Sequence, residues 1–275
     1  MIQYTDDSVT IFQSALFQTT STVINLEDFI LIVDPTWLPN EIHEIQSYVK
    51  SIQANKACYI LFTHSDYDHI IGYHAFPGAK TIGSIELLNH PKKEAIIQAI
   101  HDFDANYYIT RDYKVEFPKI DIVIDHDGQE VTIGSTTLTF YKAPGHTEDG
   151  LFTIVNSLGL FLTGDYLSDF ELPFIDHSAK AYKQTLQKAK KIIDDYKINI
   201  LVPGHGQYTK SHDEMERRIT MATDYLERLK TAVITGNEVL IKKLEGEFRF
   251  LSAFTVKSHK ENVRIMRREY LSKTI

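Results

Sequence analysis

The stretch Thr63-His64-Ser65-Asp66-Tyr67-Asp68-His69-Ile70-Ile71-Gly72 decides how the rest of the chain is read. It sets two histidines and two aspartates close together, directly after the apolar run Cys58-Tyr59-Ile60-Leu61-Phe62. A run of that kind reads as a strand buried on both faces. The loop that follows alternates imidazole and carboxylate, so a rigid strand end can aim several donors at one or two cations.

Working outward, four other apolar runs end in a residue of the same kind. Phe29 to Val33 ends in Asp34, Leu138 to Pro144 in His146, Gly159 to Gly164 in Asp165, and Asn199 to Gly204 in His205. One such ending is ordinarily a turn former. Several together, bracketed by glycine or proline that lets the backbone turn, point to a shared site. Imidazole and carboxylate donors suit zinc, iron or manganese, and a set without thiolate is too hard for copper(I).

At these residues the sequence resembles the metallo-β-lactamase fold superfamily, whose signature is His-x-His-x-Asp-His followed by distant His, Asp and His. His64, Asp66, Asp68 and His69 match the loop, and His146, Asp165 and His205 match the distant positions in order. Asp34 matches the acidic residue that closes an early strand. The resemblance covers roughly residues 9 to 210 and implies an α/β (α+β) fold, a four-layer αββα sandwich with the site at one edge. It also implies a ligand division: His64, Asp66 and His146 on one metal, Asp68, His69 and His205 on the other, Asp165 bridging. Two divalent metal ions per chain are expected, zinc first, with iron or manganese as alternatives. Asp66 departs from the signature, standing where the family has its second histidine. A carboxylate there is shorter, charged and better suited to harder ions. The implied function is a hydrolase that uses a metal-activated hydroxide on a small ester, thioester, lactone or phosphodiester, with Asp68 orienting the nucleophile and handling a proton. Asp34 is read as fixing a histidine tautomer or the ligand loop. The alternative is a diiron oxidoreductase, reducing oxygen or nitric oxide with a separate electron donor.

The chain has 275 residues, 43% of them hydrophobic, with 8 prolines and 13 glycines, which excludes collagen-like, low-complexity and wholly disordered classes. One cysteine, Cys58, allows neither an internal disulfide nor a thiol-based zinc site. Twelve histidines are the oddity, and only four of them fall at the strand ends above. The net charge of -8 argues against nucleic-acid backbone binding, and no run is long enough for a membrane helix. Met1 to Asp7 carries acid where a secretory leader carries base, so a cytoplasmic protein with a small-molecule substrate is expected. Neither a Gly-x-Ser-x-Gly elbow nor a phosphate-loop lysine motif occurs.

Two segments are expected: a metal-binding catalytic domain over residues 1–210 and a helical extension over 211–275, packed over the site or forming a homodimer contact. Apolar spacing predicts helices over about 39–54, 86–102 and 179–195. Ser211-His212-Asp213-Glu214 and Ser258-His259-Lys260-Glu261 read as capping boxes that open two later helices. The tail from Lys257 to Lys273 is net basic, with Arg264, Arg267 and Arg268 close together, and reads as the solvated face of a packing helix or, alternatively, as a contact for an anionic substrate or a partner subunit. Tyr67, Tyr166, Phe170 and Phe174 are candidates for pocket walls or, equally, for core packing.

Overall fold

In the computed structural model, which describes residues 1–271, strands that are mostly buried on both faces, except at the sheet edges, build two sheets that stack face to face. The first sheet holds β1 (Ile2–Thr5), β2 (Val9–Gln13), β3 (Thr20–Asn25), β4 (Phe29–Val33), β5 (Ala57–Leu61), β6 (Lys80–Ser84) and β7 (Ile122–Ile124) in that spatial order. Neighbours are antiparallel as far as β4 and parallel from there on. The second sheet has β8 (Gln129–Ile133), β9 (Thr136–Lys142), β10 (Leu151–Val155), β11 (Leu160–Leu162) and β12 (Ile200–Val202), ordered β12-β11-β10-β9-β8. Only β11 and β12 pair parallel.

Side-chain alternation explains the layers. In β4, Phe29, Leu31 and Val33 enter the core between the sheets, while Ile30 and Ile32 face outward. That outer face packs under α1 (Pro39–Gln53), through Ile42, Ile45 and Val49, and under α4 (Lys93–Asn106), through Ile100. In the second sheet Leu151, Val155, Leu160 and Leu162 face inward, and Phe152, Ile154 and Phe161 face α5 (Ala179–Asp195) and α6 (His212–Thr235). The result is the αββα sandwich. Each such fully buried side chain contributes about 1.5–3 kcal/mol from area removed from water.

Strand direction then places the site. β4 and β5 run parallel, and β9 and β11, both antiparallel to β10, run parallel to β12. Their C-terminal ends therefore collect at one edge of each sheet. Two backbone bonds tie these edges together: Leu151 N–H to the Thr63 carbonyl at 2.8 Å, and Thr20 N–H to the Gly204 carbonyl at 2.7 Å.

Several expectations needed correction. The helix expected over 86–102 is two, α3 (Ile85–Leu88) and α4, because Pro91 and the residue before it cannot continue the first. The terminal helix α8 (Ala253–Leu271) opens before Ser258, because Ser252 takes the end position, its Oγ accepting from Thr255 N at 3.2 Å. Ser258 lies inside the helix and donates to the Phe254 carbonyl. At Ser211 the capping oxygen does accept from Glu214 N at 3.3 Å, but the Glu214 carboxylate pairs with Arg217 and Arg218 and does not close the box. β1 and the short helix α7 (Glu238–Glu245) had no sequence counterpart. Among the described residues no helix is long and apolar enough to cross a membrane. Lys273, the end of the basic tail, lies outside the described residues.

Candidate metal centre

All seven candidate ligands meet at the joined sheet edges. His64 follows β5, Asp66 precedes the single turn α2 (Tyr67–Ile70), and Asp68 and His69 lie within that turn. His146, Asp165 and His205 follow β9, β11 and β12. The backbone is bent to fit. Gly164 takes φ 52° before Asp165, and Gly145 takes φ 135° before His146. At Gly204 a Cβ would stand 2.3 Å from Asp165 Oδ1, so only glycine lets these loops close.

The four imidazoles share one arrangement. His69 Nδ1 donates to Asp34 Oδ2 at 2.9 Å, His146 Nδ1 to the Phe174 carbonyl at 2.8 Å, and His205 Nδ1 to the Phe17 carbonyl at 2.9 Å. His64 Nδ1 meets Thr63 Oγ1 at 3.0 Å, and that hydroxyl donates to Asp34 Oδ2 at 2.5 Å. With every Nδ1 held by an outside acceptor, every Nε2 faces inward. Asp34, buried and itself at φ 44°, anchors the set by also accepting from Thr63 N at 2.9 Å.

Inside, Asp165 reaches all four rings. Its Oδ2 lies 3.6, 3.2 and 3.3 Å from Nε2 of His64, His146 and His205, and its Oδ1 lies 3.1 Å from Nε2 of His69. Asp66 Oδ2 is 3.1 Å from His146 Nε2 and 3.7 Å from His64 Nε2. Asp68 Oδ2 is 3.6 and 3.5 Å from Nε2 of His69 and His205. Donor atoms of His64, Asp66, His146 and Asp165 lie within 4.8 Å of one another, and so, as a second group, do those of Asp68, His69 and His205.

This donor set fits divalent cations. His64 Nε2 and Asp165 Oδ1 are buried with no hydrogen-bond partner, and His69 Nε2 faces His205 Nε2 at 3.4 Å, two acceptors opposed unless a proton or cation lies between. Burial opposes charge on these rings, yet the carboxylates prevail. Asp165 with Asp68 raises His69 well above the ordinary histidine value, Asp165 with Asp66 does the same for His146, and Asp165 with Glu171 raises His205 to about 10. Asp66 and Asp165, despite burial, are held well below the ordinary carboxylate value by the histidines. So negative a field invites cations, whose binding would displace protons.

A cavity of about 770 Å³ opens over the donors, walled by Tyr67, Phe174 and, from α8, Phe254, Lys257 and Arg264. Tyr67 and Phe174 thus stand where a pocket wall was expected. Phe170 belongs to an adjoining cavity, and Tyr166 lies in the core, its hydroxyl accepting from His146 N at 3.0 Å and donating to the Pro144 carbonyl at 3.0 Å. Of the three basic candidates only Arg264 reaches this cavity, since Arg267 pairs with Glu238 and Arg268 donates to the His177 carbonyl. Glu171 was missed. Burial pushes its carboxyl up to about 7 beside the donors, and nothing in Asp169-Phe170-Glu171-Leu172 marks it.

Residues 15–205 match the family model described as the metallo-beta-lactamase superfamily. An uncharacterized protein of Mycobacterium leprae (strain TN) is 28% identical over 96 residues, which is 34% of this chain and 43% of that protein. Among solved structures, the stereoselective inverting sec-alkylsulfatase from Pseudomonas sp. superposes with a TM-score of 0.73 at 12% identity, over 98% of this chain and 50% of its own. This chain therefore spans about half or less of those two proteins. A metallo-beta-lactamase family protein from Thermus thermophilus matches end to end, with a TM-score of 0.67 at 14% identity, over 95% of this chain and 94% of its own. At such identities the structural likeness is one of fold.

Proposed function

Because the chain belongs to the metallo-beta-lactamase superfamily, we propose that it is a metal-dependent hydrolase acting at a dinuclear centre on a small ester, thioester, lactone or phosphodiester. The observation that carries the reading is the single inward donor set, four Nε2 atoms and three carboxylates, with Asp165 within reach of every ring. His64, Asp66 and His146 would hold one cation, Asp68, His69 and His205 the other, with Asp165 between them. Bound there, two divalent cations would supply Lewis-acid polarisation and lower the pKa of a water enough for it to act as a nucleophile near neutral pH.

The chain's own groups do the rest. The outward Nδ1 bonds hold each ring in one tautomer, so its donor nitrogen is fixed before substrate arrives. Asp68, whose Oδ2 accepts from Thr19 Oγ1 at 3.3 Å, would take and return a proton. Tyr67, Phe174 and Phe254 give the cavity an apolar wall on one side. Asp66 also favours harder ions, which keeps the diiron oxidoreductase as the second reading.

Elemental analysis of anaerobically purified protein, followed by an activity screen with the metal found, is the test. Two zinc or manganese equivalents per chain with hydrolytic turnover support the proposal. Stoichiometric iron with an oxygen-sensitive visible band supports the second reading. His146→Ala and Asp165→Asn should each lose metal loading and turnover together, and full activity in either sinks the scheme.

A further inference from the structure

Beside the donors lies a second cavity, of about 280 Å³, with Gln18, Glu171, Arg249, Ser252 and Thr255 supplying polar edges and with half of its lining residues phenylalanines: Phe17, Phe170, Phe174, Phe248, Phe250 and Phe254. They come from three separate segments and pack ring to ring, with centroids 5.6 Å apart for Phe17–Phe254 and Phe174–Phe254, 5.7 Å for Phe174–Phe248 and 5.3 Å for Phe170–Phe250. Phe17, Phe250 and Phe254 keep 42%, 54% and 48% of their surface exposed, an arrangement that costs free energy unless something apolar covers it.

The cavity is joined to the proposed centre residue by residue. The Phe17 and Phe174 carbonyls fix His205 and His146, and the rings of those same two residues line the aromatic cavity. Phe17, Glu171, Phe174 and Phe254 line both cavities, so the two adjoin and a molecule seated over the donors has the phenylalanines beside it. The Arg249 guanidinium sits 5.7 and 5.6 Å from the Phe170 and Phe250 ring centres, so those faces already carry a cation.

We propose that this cavity receives the neutral, apolar arm of the substrate, of the size of a medium-length acyl or alkyl chain or an aryl group, while the scissile bond lies over the seven donors. The idea rests on the hydrolase reading and narrows its substrate class. Volume sets the size of the arm: a cavity of roughly 150 Å³ suffices for benzene, and this one is nearly twice that.

The probes are 1-alkanols of four to ten carbons, which do not compete strongly for the metals. Binding to the full chain is read by calorimetry and by the fluorescence of Trp37, the one tryptophan, whose ring lies 6.3 Å from Phe17. Affinity should rise about fourfold per methylene and then level off as the cavity fills. Phe250→Asp should lower affinity for the longest bound alkanol at least tenfold. Leu251→Asp, an exposed neighbour outside the lining, should not. A flat chain-length series in the wild-type protein overturns the proposal, as does an equal effect of the two substitutions. Esters of matched chain length separate the two readings. Hydrolysis indifferent to chain length, with a flat alkanol series, removes the cavity assignment and leaves the hydrolase. A rising alkanol series without hydrolysis of any ester removes the hydrolase and leaves an apolar-ligand site.

Discussion

Asp34→Asn tests the arrangement of the centre most directly, because the substitution preserves shape and tolerates the backbone at φ 44°, a region asparagine adopts readily. Asp34 is an acceptor on both oxygens, taking Thr63 N on Oδ1 and Thr63 Oγ1 and His69 Nδ1 on Oδ2. An amide must present a donor on one side. If its oxygen stays with Thr63 N, its NH₂ faces His69 Nδ1. The ring can then avoid two opposed donors only by moving its proton to Nε2, which removes the inward lone pair. Loss of such an outer partner ordinarily costs 10–100-fold in metal affinity, about 1.4–2.8 kcal/mol. One hydrogen bond to a charged acceptor adds roughly 1.5–3 kcal/mol to the loss of fold stability. Competition with a chelating dye measures the first quantity, and denaturant unfolding of metal-free protein the second. Asp34→Asn should lose affinity at the group containing His69 more than at the group containing His64. Unchanged affinity at both would refute the argument that Asp34 sets the tautomer.

Three further outcomes follow from other parts of the structure. Gly204→Ala puts a Cβ 2.3 Å from Asp165 Oδ1 and 3.0 Å from His69 Cε1, so metal affinity measured by the same competition should fall at least tenfold; overpacking should cost about 1–3 kcal/mol of stability. Arg217 and Arg218 hold the Glu214 carboxyl down to about 2 against burial, so its folded value lies below its unfolded one. The stability it contributes is therefore present above about pH 4.5 and lost as pH falls toward 2. With the screening due to its partial exposure this is about 1–2 kcal/mol, and Glu214→Gln should flatten that limb of a urea-unfolding series. Asn262, fully buried in α8, accepts from Ile175 N at 2.8 Å and donates to the Pro173 carbonyl at 2.6 Å and Tyr225 Oη at 2.8 Å. Asn262→Ala should cost about 2–4 kcal/mol by thermal unfolding, because two buried backbone groups lose their partner. It should also weaken metal binding, since Phe174 between them holds His146.

What was legible in the sequence was what depends on a few neighbouring residues. A buried strand announces itself as an unbroken apolar run, and a ligand at its end needs only a following turn, so His64, Asp165 and His205 could be placed without knowing which strands pair. Parallel pairing of β4 with β5 and of β11 with β12 then brings those ends together, and this is long-range information that no local pattern contains. The family signature supplied it instead. The errors have the opposite character. Ser258 has the residues of a helix start, but the chain had already turned at Ser252, where Thr255 supplied a closer partner. Glu171 and the phenylalanines of the α7–α8 connection carry no motif, because their role comes from what they face. The basic tail shows the same limit from the other side. Its three arginines looked alike in sequence, yet packing gives Arg267 to Glu238 and Arg268 to a backbone carbonyl, and leaves Arg264, paired with Glu261, on the cavity. Composition can nominate a charged residue for binding, but only the neighbours that surround it decide whether its charge faces a ligand.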